Sequence, residues 1–171
     1  IYTCMGHRAN RNRINKGFTL LEVLVAVLIL GITIAAPLTL ASRSLQAGQR
    51  SKNRIVATAM AQEGVELVHA IRSGNFLSGN GWDQGLASCR LVDGCFIEVD
   101  DLRVRGCSTS CPMLRFDGSL YQYNTGPTSI YRRVISISGS GNEMQVTASV
   151  SWSDAVSTQS VDISEYLFDW Q

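Results

Sequence analysis

The feature that most constrains this chain is an apolar run that starts at Phe18 and continues to about Ala41, with Glu22 as its only charged residue. A helix needs about 20 apolar residues, at a rise of about 1.5 Å each, to span a bilayer. Because Leu, Ile and Val occur on all sides of the predicted helix, it has no polar face and must be buried in lipid or in protein. Roughly twelve large apolar residues outweigh the cost of inserting one carboxylate, which is about 2.5–3.5 kcal/mol. A charge retained in such a segment indicates a partner and a function for Glu22.

The stretch Lys16–Glu22 reads K-G-F-T-L-L-E and resembles the class III signal of bacterial type IV pilins and of the related type II secretion pseudopilins. The resemblance implies that a prepilin peptidase cleaves between Gly17 and Phe18 and methylates the new N-terminal amine of Phe18. It also implies that Glu22, together with Thr19, serves filament assembly, Glu22 by neutralising a terminal ammonium inside the growing filament. That pairing is physically reasonable, because a buried ammonium and a buried carboxylate are each costly alone and tolerable together. The alternative is an ordinary signal-anchor helix with an incidental glutamate.

The leader that this cleavage would remove is basic. It contains four of the 15 Lys and Arg residues and no acidic residue, so the rest of the chain has 11 basic and 14 acidic residues, a net charge of −3. This bias predicts that the leader stays on the cytoplasmic side and that the C-terminal part is exported. The expected cut precedes the apolar run, unlike that of a usual secretory signal. The sequence begins at Ile1, and Met5 is an alternative start. We predict a leader over 1–17, a transmembrane or filament-core helix over 18–41 and a globular domain over 42–171.

Two residues inside the apolar run affect the predicted helix locally. Pro37 lacks a backbone donor and should kink or loosen the helix. In the pilin family, a segment between a Gly and a Pro often melts when the subunit enters the filament, and Gly31 and Pro37 are the matching positions here. The alternative is a proline kink without a mechanical role.

Between Ser51 and Ser73 the pattern becomes amphipathic, which predicts the extramembrane half of one long helix from Phe18 to Ser73. The apolar stripe, expected to cover a sheet, contains Ile55, Val56, Ala59, Met60, Leu67, Val68 and Ile71. The polar stripe contains Arg54, Thr58, Gln62, Glu66, His69 and Ser73. Glycine and asparagine residues from Gly74 onwards are expected to end the helix and open a loop.

Four cysteines follow in a compact block: Cys89, Cys95, Cys107 and Cys111. An exported domain meets an oxidising compartment, so two disulfides are the default interpretation. Four cysteines allow three pairings, of which we favour Cys89–Cys95 with Cys107–Cys111. A zinc site is the alternative, but the spacings of five and three intervening residues differ from the usual two-residue knuckle.

The rest of the chain has the period of β-strands. Residues Leu114–Phe116 and Leu120–Tyr123 flank Asp117-Gly118, which is favourable for a two-residue hairpin turn. Two longer strands are predicted around Tyr131–Ile137 and Met144–Ser153, and a third around Val161 and Ile163. One apolar sheet face needs a cover, which the amphipathic helix provides. The prediction is an α+β, pilin-like fold with a long N-terminal helix packed on an antiparallel sheet.

The sequence gives little support for catalysis or for a cofactor. His69 is the only histidine after cleavage and is interpreted as solvated, and Glu63 and Glu66 as a solvated acidic face. No Ser-His-Asp order, zincin motif or nucleotide-binding loop occurs. Acids at Asp93, Asp100 and Asp101 lack the spacing of a known calcium loop.

Nucleic-acid binding is also disfavoured. The arginines that could contact phosphates are Arg90, Arg103, Arg105, Arg115, Arg132 and Arg133. The mature chain is nevertheless acidic overall, which argues against a strong electrostatic footprint. Ordinary surface charge is the simpler interpretation, and DNA binding is not expected.

These observations predict a structural subunit, a minor pilin of a type IV pilus-like filament, and not an enzyme. The resemblance implies that its partners are other pilin subunits, the prepilin peptidase and the inner-membrane assembly platform. It implies a single-pass prepilin in the inner membrane that later reaches the periplasm and a surface filament. Two alternatives stay open: a type II secretion pseudopilin, and a signal-anchored periplasmic binding domain that does not polymerise.

Overall fold

A computed structural model describes residues 17–139, 141–154 and 157–169. The predicted leader lies outside the described residues except for Gly17, as do both predicted starts, Ile1 and Met5. The chain forms two compact units, residues 1–47 and residues 48–171, which we describe separately. The boundary between them follows Ala47, six residues after the end predicted for the filament-core helix.

Helix α1 extends from Leu20 to Leu77 and contributes to both units. Pro37 lies inside α1 and does not end it. The helix ends four residues beyond the predicted Ser73. After the end, the N–H of Asn80 donates to the carbonyl of Asn75 (2.9 Å), and Gly79 adopts a φ of +69°. A left-handed glycine after the last turn is a common helix terminator.

The second unit contains the sheet, whose strands are all antiparallel. Along the described residues the strands are β1 (Cys95–Ile97), β2 (Val104–Gly106), β3 (Met113–Phe116), β4 (Tyr121–Gln122), β5 (Thr128–Ser138), β6 (Glu143–Ser153) and β7 (Thr158–Phe168). Strand β5 is central, because it pairs with β6 along one edge and with β1 and β3 along the other. Strand β7 pairs with β6 over its full length. A short 3-10 helix, Ala87–Arg90, precedes β1.

The β5–β6–β7 meander confirms the predicted order of strands. Alternate residues of β6 are buried, as its period of two predicted: Met144, Val146, Ala148, Val150 and Trp152. Strand β7 extends well beyond the predicted Val161 and Ile163. These three 11-residue strands form most of the sheet face that packs on the helix.

The predicted turn at Asp117-Gly118 is wrong in position. Phe116 pairs with Tyr121, so residues 117–120 form the connection. The Asp117 carboxylate accepts hydrogen bonds from the N–H groups of Ser119 (2.8 Å) and Leu120 (2.9 Å). Aspartate therefore opens the turn by bonding to the backbone that follows it.

The part of α1 that packs on the sheet buries most of the predicted stripe. Met60, Leu67 and Val68 are buried, and Val56 and Ile71 pack partly buried against the core, whereas Ile55 and Ala59 are exposed. Small residues at positions 57, 61 and 64, outside the predicted stripe, are buried as well. A Cβ on Gly64 would lie 3.0 Å from the Cβ of Ala148, a tight contact, so glycine at this position favours the close approach of helix and sheet.

The observed fold confirms the predicted class: an α+β arrangement in which one long N-terminal helix packs on a seven-stranded antiparallel sheet. The core of the second unit lies between residues 57–68 of α1 and the inner faces of β5 and β6. Within the first unit, the described apolar side chains are exposed from Phe18 to Leu45.

Candidate functional site

The first candidate site is the start of α1. Thr19 precedes the helix, and its Oγ1 accepts a hydrogen bond from the N–H of Glu22 at 3.2 Å. Thr19 is therefore the N-cap, and the T-x-x-E order is that of a capping box. A carboxylate in the first turn is also favoured by the helix dipole. The structure thus gives Thr19 and Glu22 a local role in starting the helix.

The predicted cleavage point lies directly before this cap. Gly17 is exposed, and the side chain of Phe18 is 80% exposed. Cleavage between them would place a free amine four residues before Glu22. The structure thus leaves the predicted cut accessible.

The apolar surface that follows is open on all sides. Leu20, Leu28 and Leu38 are 79%, 64% and 70% exposed. The helix is long and apolar enough to cross a membrane, with a mean hydropathy of 2.6 in its most apolar window. A signal sequence near an N-terminus meets the same criterion. Exposed apolar area on this scale marks a surface that lipid or protein covers.

A buried ion pair in the second unit was missed by the sequence analysis. Arg133, expected at the surface, is fully buried, and its Nη1 lies 2.7 Å from Oε2 of Glu63 and 3.2 Å from the carbonyl oxygen of Met60. Glu63 was interpreted as part of a solvated face, whereas it neutralises this arginine. The period of β5 contained the signal, because Arg133 is in phase with the inward-facing Tyr131 and Ile135.

The tyrosine near this pair does not compete with Glu63 for the arginine charge. Burial raises the pKa of Tyr123, and the nearby Arg133 opposes this shift. The phenol therefore stays neutral at physiological pH, since its ordinary pKa is already about 10. Glu63 remains the negative charge that compensates Arg133, and the pair fastens α1 to β5.

The cysteine block contains the two favoured disulfides. Cys89 is bonded to Cys95 and Cys107 to Cys111. The first closes the connection between the 3-10 helix and β1, where Gly94 adopts a φ of +68°. Each bridge links positions that are close in sequence, so it fixes a local loop and does not join distant strands.

The remaining charged residues are largely compensated within the second unit. Arg90, Arg103 and Arg105 each form an ion pair, with Asp83, Asp101 and Glu98 respectively. Arg115 donates to the carbonyl of Gly126. The predicted arginine cluster is therefore not an open basic patch.

His69 contradicts its interpretation as a solvated side chain. Its Nε2 lies 3.2 Å from Oε2 of Glu165, and its side chain is 30% exposed. The contact joins α1 to β7. Across the described residues, no three His, Cys, Asp or Glu side chains come together as a metal-ligand group.

Comparison with known proteins gives one match. Residues 12–36 match the model of the prokaryotic N-terminal methylation motif. This segment includes Gly17, Phe18, Thr19 and Glu22, the positions singled out by the sequence pattern. A search of curated proteins and a search of solved structures find no match. The chain therefore carries the prokaryotic N-terminal methylation motif, the class III signal that is consistent with the type IV pilin and pseudopilin family.

Proposed function

We propose that this chain is a minor pilin, a structural subunit of a type IV pilus-like filament, which a prepilin peptidase cleaves between Gly17 and Phe18. The observation that supports it is the coincidence of three features at one helix end. These are an accessible Gly17–Phe18 bond, a capped helix with Glu22 in its first turn, and an apolar surface whose described side chains are exposed. An ordinary membrane anchor requires only the third feature.

The chemistry of assembly follows from the charges at this end. Cleavage exposes the amine of Phe18, and methylation leaves it a cation. In a filament core, the Glu22 carboxylate of one subunit neutralises the N-terminal ammonium of a neighbour. Each charge alone would be costly in an apolar environment, and together they are tolerable. Lipid and a packed helical core are similarly apolar, so packing and this ion pair decide which of them holds the helix.

The proposed function also implies the partners of the chain. They are other pilin subunits, the prepilin peptidase and the assembly platform of the inner membrane. The subunit starts as a single-pass protein of the inner membrane and ends in a surface filament, with residues 48–171 outside the core. The segment between Gly31 and Pro37 loosens on assembly, because Pro37 leaves the carbonyl of residue 33 without its helical donor.

Processing is tested by intact mass. The full chain is expressed with its peptidase, purified, and measured before and after a Gly17→Val substitution that blocks the cleavage site. The proposal predicts loss of the leader and a gain of one methyl group on Phe18, both absent in the variant. A wild-type chain of uncleaved mass would instead support the signal-anchored binding domain.

Assembly is tested by replacing Glu22 with leucine. The substitution removes the carboxylate that would neutralise the neighbour's N-terminal ammonium, and it keeps the side chain bulky and the helix apolar. The expected result is loss of the subunit from sheared filaments, while its amount in the membrane stays the same. Thr39→Leu is the matched control, because Thr39 is also a polar residue of the run and lies outside the segment between Gly31 and Pro37. Equal incorporation of the Glu22→Leu and Thr39→Leu chains would refute the proposed ion pair.

A further inference from the structure

The second unit contains an open groove between the early turns of its helical part and the end of the sheet. The groove has a volume of about 700 Å³. One wall is formed by Arg50, Ser51 and Arg54 of α1, and the other by Ser157, Gln159 and Ser160 at the start of β7. Two guanidinium groups thus face hydroxyl and amide donors. Guanidinium groups and neutral donors around one space are the groups that bind phosphate oxygens.

The charges of the groove do not cancel. Asp154, which also lines it, lies 3.8 Å from Nε of Arg50, and this acid compensates one of the two arginines. The Arg54 guanidinium has no hydrogen-bond or ion-pair partner among the described residues. The groove therefore keeps one positive charge in excess.

The sequence around the groove extends this positive charge. Arg43, Arg50, Lys52 and Arg54 follow the apolar run, and no acidic residue occurs between Glu22 and Glu63. Arg50 comes nine residues after Ala41 in sequence. Guanidinium groups close to a bilayer surface pair with lipid phosphates through bidentate, charge-assisted hydrogen bonds. The basic residues around the groove therefore differ from the arginines near the disulfides, which are paired with acidic residues.

We infer that the groove binds the phosphate group of an anionic phospholipid while the subunit resides in the membrane. Arg54 supplies the uncompensated charge, Arg50 the second guanidinium, and the hydroxyl and amide groups of the opposite wall the neutral donors. The ligand chemistry is a phosphodiester with an accessible anionic oxygen. The inference rests on the membrane-resident stage of the proposed function and does not depend on polymerisation.

The test uses the full chain reconstituted in phosphatidylcholine bilayers that contain a minor fraction of phosphatidylglycerol. The lipids that the protein retains on gentle extraction are counted by native mass spectrometry. Wild-type protein should retain phosphatidylglycerol in preference to phosphatidylcholine. Arg54→Gln should lower this preference about tenfold, since it removes a charge-assisted hydrogen bond to the phosphate. Arg103→Gln is the matched control, because it makes the same substitution at an exposed arginine that does not line the groove, and it should leave the preference unchanged.

The outcomes separate the groove from its alternatives. Equal losses in the Arg54→Gln and Arg103→Gln chains would show an effect of net charge alone and would overturn the inference. Glycerophosphate in solution should displace phosphatidylglycerol from the protein only weakly. If glycerophosphate binds the protein without membranes as tightly as phosphatidylglycerol binds within them, the groove is a site for free phosphates instead. Crosslinking of an Arg54→Cys chain to an acidic segment of a neighbouring subunit, with no lipid preference, would assign it to a protein partner. Resistance to alkaline extraction is measured in parallel: a chain that fails to insert contradicts the proposed function, whereas an inserted chain without lipid preference contradicts only this inference.

Discussion

Removal of the Glu63 carboxylate is expected to destabilise the second unit strongly. In the wild type, the Nη1 of Arg133 is 2.7 Å from Glu63, and the arginine side chain is completely buried. A Glu63→Ala substitution leaves that guanidinium with the Met60 carbonyl as its remaining bonded partner. Breaking a buried ion pair from one side costs about 3–5 kcal/mol. The Glu63 side chain is 36% exposed, so water reaches the site and the lower end, about 3 kcal/mol, applies.

The assay is urea unfolding of the fragment 48–171, which forms a compact unit with its own core. With a denaturant slope of about 2 kcal/mol per molar urea, the unfolding midpoint should fall by about 1.5 M. Glu66→Ala is the matched control, because Glu66 lies three residues away on the same helix and is exposed. That control should move the midpoint little, as exposed substitutions usually change stability by less than about 0.5 kcal/mol.

The double variant Glu63→Gln with Arg133→Met tests whether the loss of stability comes from the unpaired, buried guanidinium. Replacing both members of a buried pair with neutral or apolar groups is often close to neutral. The double variant should therefore be more stable than Glu63→Ala. Strictly additive single effects, or a Glu63→Ala midpoint equal to that of Glu66→Ala, would show that the pair does not fasten α1 to the sheet.

Three further predictions concern local structure in the second unit. Gly94→Ala should destabilise the second unit by more than about 2 kcal/mol, because its Cβ would lie 2.7 Å from a β5 side-chain carbon and 2.8 Å from a β5 backbone oxygen. Thermal unfolding should show a smaller loss of stability for the control Gly79→Ala, since Gly79 also has a positive φ but has open surroundings. Replacing the Cys89–Cys95 pair with serines should lower the free energy of unfolding by about 2 kcal/mol, as expected for a short closed loop, and a reductant should then have less additional effect. Backbone hydrogen bonds, above all from Leu120, hold the pKa of Asp117 below its usual value of 3.8. The stabilisation that this carboxylate provides is therefore present above that pH and is lost as the pH falls below it. A two-dimensional NMR titration of Asp117 should give a midpoint below the usual value. A midpoint at the usual value would show that these hydrogen bonds do not stabilise the carboxylate.

The fold class and the motif at the start of the helix were accessible from the sequence for a simple physical reason. Few structures can bury an apolar run of this length that contains a single carboxylate. Because the pattern lies within one continuous segment, it could be interpreted without knowledge of distant contacts. The strict alternation of β6 was equally informative, because one face of an antiparallel sheet is buried and the other is not. The sequence left the cysteine pairing open, because four cysteines allow three pairings, and the structure contains the favoured one.

What the sequence by itself determined is therefore local: the long apolar helix, the motif around Gly17 and Phe18, and the order of the long strands. Only the tertiary structure decided that the small residues at positions 57, 61 and 64 of α1 are also buried, because Gly64 lies in close contact with β6. It also decided which carboxylate compensates the inward-facing Arg133, since burial of a guanidinium is tolerable only where a carboxylate arrives from another element. Such pairings join residues 70 positions apart, and no local pattern records them.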